Sequence, residues 1–251
     1  MKNYSSSIIY GKKKISFDIL YANRKTMEIA VHPDARVIVK APKGTAPEVI
    51  RGRITKRARW IRKQIDYFRK FEPRTLPRCF VGGETHLFLD RQYRLKIKKE
   101  SYYEVKLKGA YFYVMTPDPD NTQKVKDLLD EWYKEHARTI FSRRLEECYI
   151  RAKKLNVPFP HIKLRKMSKR WGSCSKSGDI LLNTSLIKAS VYCIDYVIMH
   201  ELCHLKVHTH NSGYFKLLSK YMPDWEKRKD RLEKNESSLP FFTAINFPAL
   251  P

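Results

Sequence analysis

The segment from Val191 to His208 constrains this chain more than any other. Ile194, Val197, Ile198, Leu202 and Leu205 surround His200, Glu201 and His204, so a helix here is apolar nearly all round and predicts burial. Burying two imidazoles and a carboxylate together is costly unless the fold gives them partners. On an α-helix, residues four apart lie about 40° apart around the axis and one turn apart along it. His200 and His204 therefore project from one face and can close on a single metal ion about 2 Å from each nitrogen. Glu201, beside the first histidine, can reach a metal-bound water rather than the metal. A Zn2+ ion in such a site lowers the pKa of its water toward neutrality, and Glu201 can take the proton as the water attacks a carbonyl.

A third ligand is needed, and His208 and His210 both follow. His208 continues the same helical stripe, but ligands spread over two turns of one helix cannot all converge on one ion. His210 requires the helix to end near Lys206 to Val207 so that the chain folds back, and it is the favoured ligand. The resulting spacing, H-E-x-x-H-x5-H, is the one metzincins use. Those proteins place a glycine where this chain has Val207, so the backbone path here must differ.

The rest of the chain divides by periodicity. Ile15, Phe17 and Ile19 share one face of a strand from Lys14 to Leu20, and Met27 to Val31 and Val37 to Lys40 flank a hairpin connection over 32–36. Thr45 and Glu48 form a T-x-x-E capping box ahead of a helix whose apolar face is Ile50, Ile54, Ala58, Ile61, Ile65 and Phe68. Its other face is basic, from Arg51 to Lys70. Strand patterning returns from Phe80 to Met115, with turns at Gly82-Gly83 and Lys108-Gly109-Ala110. Past the breakers at Pro117 to Asn121, where Asp120 or Asn121 can cap, Val125, Leu129, Trp132, Tyr133 and Phe141 recur at helical spacing. Short strands are predicted at His161 to Leu164 and Ile180 to Leu186, and a last helix over roughly Ser212 to Asn235. The expected fold class is α+β: an antiparallel β-rich part with one helix over 1–118, a helical domain with a short sheet over 119–238, and a tail, 239–251. No internal repeat is evident in the sequence.

Apolar residues make up 42% of the 251, enough for a proper core. No run approaches the roughly 18 apolar residues of a membrane span, and the first residues hold no apolar stretch suited to a secretory signal. The five cysteines, Cys79, Cys148, Cys174, Cys193 and Cys203, are scattered without a CxxC pair, so reduced thiols and a cytoplasmic location are expected. A formal charge of +25 predicts attraction to polyanions, nucleic acid above all, without any sequence reading.

Three stretches resemble the YgjP-like metallopeptidase family, which is related to SprT-like and WLM zinc peptidases. They are Arg170-Trp171-Gly172-Ser173-Cys174, Asp179-Ile180-Leu181-Leu182-Asn183, and the helix from Ile194 to Leu205. Thr209 stands where the family usually has Asn, His210 matches its third histidine and Phe215 its downstream Phe; Trp60-Ile61 and Gly82-Gly83-Glu84 also look like the family. The resemblance implies a zincin-like catalytic domain with His200, His204 and His210 as zinc ligands and a peptide or protein substrate. Ile180 to Leu186 is the candidate edge strand for pairing with that substrate. Arg170, Asn183 and Tyr214 are candidate substrate-binding residues, though Arg170 could equally brace its turn and Tyr214 could equally be a packing residue. Trp171 reads as core packing, and Asp195 as a charge near the helix start rather than a ligand. Two other functions stay open: hydrolysis of a nucleotide phosphoanhydride at the same metal, and a nucleic-acid-associated binding module whose zinc is structural.

Overall fold

Period-two alternation is seen in two strands of the first sheet, Lys13–Ala22 and Val37–Pro42, as expected. Its strands are β1 (Tyr4–Tyr10), β2 (Lys13–Ala22), β3 (Glu28–Val31) and β4 (Val37–Pro42), followed by helix α1 (Pro47–Arg69). The computed structural model describes residues 4–32, 34–69, 78–167, 170–175 and 177–236, so the tail 239–251 and Lys70 lie outside the described residues. Ile15, Phe17 and Ile19 of β2 are buried beneath Ile50, Ile54, Ala58, Ile61 and Phe68 of α1, which form one cluster with Val37, Val39 and Ala41. The β3–β4 hairpin closes with Val31 opposite Val37. At the start of α1 the Thr45 hydroxyl donates to the Pro42 carbonyl at 2.9 Å, closing the turn that leads into the helix, which begins at Pro47.

The second sheet comprises β5 (Thr85–Phe88), β6 (Arg91–Lys99), β7 (Glu104–Lys108) and β8 (Tyr111–Thr116), and the long helix α2 (Thr122–Arg151) follows it. The side chain of Asn121 caps α2 by accepting from the Lys124 amide at 2.9 Å. Neither sheet is purely antiparallel, contrary to the expectation from sequence. Their strand orders are β1-β2-β4-β3 and β5-β6-β8-β7, each with a central parallel pair, β2 with β4 and β6 with β8. The same topology, two hairpins joined through a parallel pair and followed by a helix, thus occurs twice. The sequence conceals this repeat because a strand needs only alternation, which unrelated residues supply equally well.

The chain divides into two compact units, one within residues 1–75 and one within 76–238, whereas the change from strand to helix patterning had placed the boundary at 118. The second sheet belongs with the helical half because its inner face packs on α2. Phe112 meets Trp132 and Tyr133 edge-on at 4.9 and 5.7 Å between ring centres, and Phe88 meets Trp132 at 5.0 Å.

The remaining elements of the second unit are β9 (Ile162–Arg165), β10 (Gly172–Cys174), β11 (Ile180–Asn183), and helices α3 (Val191–His204), α4 (Ser212–Tyr221) and α5 (Trp225–Glu236). The third sheet runs β10-β11-β9. Expected strand Ile180 to Leu186 stops at Asn183 and turns into a short 3-10 helix, Thr184–Lys188. It is also the central strand rather than an edge, so the edge position falls to β10. The single last helix expected from Ser212 breaks in two around Met222 and Pro223, since proline cannot donate within a helix. Among the described residues no helix is long and apolar enough to cross a membrane.

Helix α3 is buried from Cys193 to His204. Its Asp195, 5% exposed, accepts a two-pronged contact from Arg144 of α2 at 2.7 and 2.6 Å, and a further bond from Arg151 at 3.2 Å. Arg228 of α5 stands 3.9 Å away. Asp195 is therefore an ionic hub joining three helices, not a charge at the helix start. Removing one partner of a buried ion pair strands the others; because Arg151 reaches solvent, we expect Asp195→Asn to cost roughly 2–4 kcal/mol. Urea unfolding checks this, and an unchanged midpoint would show that the hub contributes nothing to stability.

Candidate metal centre

Ser190 caps α3 by accepting from the Cys193 amide, and the helix then carries His200 and His204 side by side one turn apart. It ends at His204, four residues short of the expected His208, and the chain turns back. Leu205, Lys206 and Val207 close that turn through amides donating to the carbonyls of Leu202 and Cys203. Val207 is absent from the residues with positive φ, which explains how valine is tolerated: the turn needs no left-handed residue. Its carbonyl instead receives a bond from His204 Nδ1 at 3.0 Å. That bond places the proton on Nδ1 and leaves the Nε2 lone pair facing the centre.

The return brings His210 back onto the helix, while His208 is exposed. The three Nε2 atoms lie 3.2 Å (His200 to His204), 2.9 Å (His204 to His210) and 3.1 Å (His200 to His210) apart. Three nitrogens at about 2.0–2.1 Å from a tetrahedral ion stand about 3.3 Å apart, so the observed triangle is close to a ligand set. Three neutral rings turned nitrogen to nitrogen repel through their lone pairs, and a cation between them resolves the conflict. Burial lowers the pKa of all three rings, well below the usual value for His200 and to about 4 for His210, which favours the neutral imidazole at neutral pH. Among the described residues, no fourth histidine, cysteine or carboxylate joins the group.

Glu201 is 5% exposed and lies against Gly172 of β10. A Cβ added at Gly172 would stand 2.7 Å from Glu201 Oε1 and 3.0 Å from its Cγ, so glycine is required for the carboxylate to occupy this place. Burial pushes the Glu201 pKa up to about 8, and the positive charge of Arg170 partly opposes the rise. The space that Gly172 clears was not read from the sequence, although the Arg170-Trp171-Gly172 run was its signal. Trp171 is buried, as expected.

Two candidate substrate residues are buried and bonded to the protein's own backbone. Asn183 is fully buried, its Nδ2 donating to the carbonyls of Met167 (2.8 Å) and Arg170 (3.0 Å) and its Oδ1 accepting from the Ser185 amide (3.0 Å). It fixes the backbone before β10 and has no polar atom left for a ligand. Tyr214 is fully buried too: its hydroxyl donates to the His200 carbonyl at 3.1 Å and its ring stacks on His204 at 4.5 Å. Arg170 remains exposed. Thr209, at the usual Asn position, accepts from Asn211 Nδ2 at 3.2 Å, while Asn211 Oδ1 caps α4 by accepting from the Tyr214 amide at 2.9 Å. Phe215 lies 6.2 Å from the His210 ring and stacks on Trp225.

The sequence pattern of the family described as YgjP-like, metallopeptidase domain, matches residues 25–235. No curated protein matches the chain. Among solved structures, the metallopeptidase zymogen of Pyrococcus abyssi abylysin aligns at 21% identity and a TM-score of 0.36, over 39% of this chain and 96% of that one.

The geometry predicts about one metal ion per chain, lost in His204→Ala and His210→Ala and kept in His208→Ala. Metal analysis after dialysis decides between the two downstream histidines: retention in His210→Ala with loss in His208→Ala would reverse the assignment.

Proposed function

We propose that this chain, which belongs to the YgjP-like metallopeptidase family, hydrolyses peptide bonds with zinc held by His200, His204 and His210 and with Glu201 as general base. The observation that carries the reading is the three-nitrogen triangle with a buried carboxylate outside it. Catalytic zinc sites pair three protein ligands with an open position, whereas structural sites close with four. When bound, zinc supplies a Lewis acid that brings the pKa of water near neutrality and polarises a carbonyl.

The protein's own residues supply the rest. The Glu201 carboxylate, held against Gly172, would accept the proton of the attacking water and return it to the leaving amine. A raised proton affinity in a dry pocket suits both steps. Among the described residues β10 pairs on one side only, with β11, and its first residue is the one that touches Glu201. An extended polypeptide adding to that edge through main-chain hydrogen bonds would lie beside the carboxylate. Arg170, exposed two residues earlier, would hold a substrate carbonyl or carboxylate, while Asn183 and Tyr214 would keep the backbone around the centre in position.

Glu201→Gln is expected to retain metal and to lower turnover of an unfolded protein substrate at least about a hundredfold. Gly172→Ala should do likewise by displacing the carboxylate, with metal content unchanged. Full turnover in metal-loaded Glu201→Gln would remove Glu201 from the chemistry.

A further inference from the structure

We infer that the open face of the second sheet is a docking surface for single-stranded nucleic acid. Strand register creates the face. Arg94, Lys96 and Lys98 are exposed along β6, alternating with buried Leu95 and half-buried Ile97. On the adjacent parallel strand β8, Tyr111 and Tyr113 alternate with buried Phe112 and Val114. Arg94 stands opposite Tyr111 and Lys96 opposite Tyr113. On the other side of β8, Lys108 and Lys106 of β7 stand opposite the same two tyrosines. Each ring therefore has a cation on both flanks across the sheet.

The two rings lie 5.9 Å apart between centres. Lys96 Nζ is 3.7 Å from the centre of Tyr111 and 5.7 Å from that of Tyr113, and Lys98 Nζ is 5.2 Å from Tyr113. Glu104 is the only acidic residue within these three strands, and it is tied to Lys106 at 2.8 Å. Among the described residues, Arg94, Lys96, Lys98 and Lys108 make no ion pair.

Single strands ask a surface for two things: cations that follow the backbone and flat aromatic rings on which unpaired bases stack. Sheets with outward aromatics on their central strands meet both demands. Tyr111 and Tyr113 occupy a central strand and the lysines surround them. A duplex presents phosphates but hides its base faces, and an acidic protein needs only the cations, so the tyrosines select the single strand. Cation–π contacts at exposed positions are weak, so Lys96 can exchange a ring for a phosphate while a base takes its place. The first sheet shows that topology alone does not generate the platform. With the same strand order, its parallel pair sets Asp18 opposite Ile38 and Leu20 opposite Lys40, and Ser5 donates to Asp18 at 2.6 Å.

The test is fluorescence anisotropy with labelled oligo(U), oligo(dT) and a duplex of equal length, using the full chain. We expect at least one single strand to bind more tightly than the duplex, and the tighter one identifies the polymer. The Y111T/Y113T variant keeps the net charge and β-branched strand propensity, and should weaken single-strand binding at least about tenfold while leaving the duplex unchanged. Y111F/Y113F should bind as wild type. Circular dichroism confirms folding; should the threonine variant unfold, K96Q/K98Q must weaken the single strand more than the duplex. Equal affinity for duplex and single strand, or full binding by folded Y111T/Y113T, would reduce the face to a general cationic patch and overturn the proposal. Absence of single-strand binding would overturn it outright.

Discussion

Burial of α3 is the constraint on which the second unit depends. A helix so apolar has to be interior, yet it carries Asp195, His200, Glu201 and His204, each of which is costly to bury alone. Each is accommodated differently. Asp195 gathers arginines from α2 and α5, which ties the helices that flank α3 to one another. The histidines are completed by a third from beyond the helix end. Glu201 is given room by a residue without a side chain. The neighbouring elements lie where these groups need them.

The same arrangement holds the centre rigid. His200 and His204 sit on a helix; Tyr214 donates to the His200 carbonyl, and His204 Nδ1 donates to that of Val207. Asn183 holds the chain at Met167 and Arg170, just before the strand that meets Glu201. Preorganisation of this kind would suit the proposed proton transfer at Glu201, because little would have to move at the moment of reaction. Members of the family are metallopeptidases, and the centre has the parts that such chemistry uses.

Much of this was legible in the sequence, for a physical reason in each case. The i and i+4 histidines follow from helical geometry, and His210 follows from the inability of three ligands on one helix to converge. The α1 core face and the inward residues of β2 follow from periodicity. What escaped depended on contacts between segments distant in sequence. Asp195 looked like a local helix charge because Arg144 lies 51 residues away in the chain. The backbone partners of Asn183 and Tyr214, two candidate substrate-binding residues, were not legible because a polar side chain does not reveal which backbone it will bond. The parallel pairs at the centre of both sheets are equally invisible, since alternation specifies a strand and not its neighbour. Pro223 was a readable breaker, and it is where the expected single helix divides into α4 and α5.

X-ray absorption at the zinc edge of the metal-loaded protein tests the central claim most directly. The account predicts imidazole nitrogens and one further light atom at about 2.0–2.1 Å, with no sulfur, although Cys203 adjoins His204 in the chain. A scattering shell at about 2.3 Å, the distance of a thiolate, would show a different ligand set and contradict the three-histidine centre.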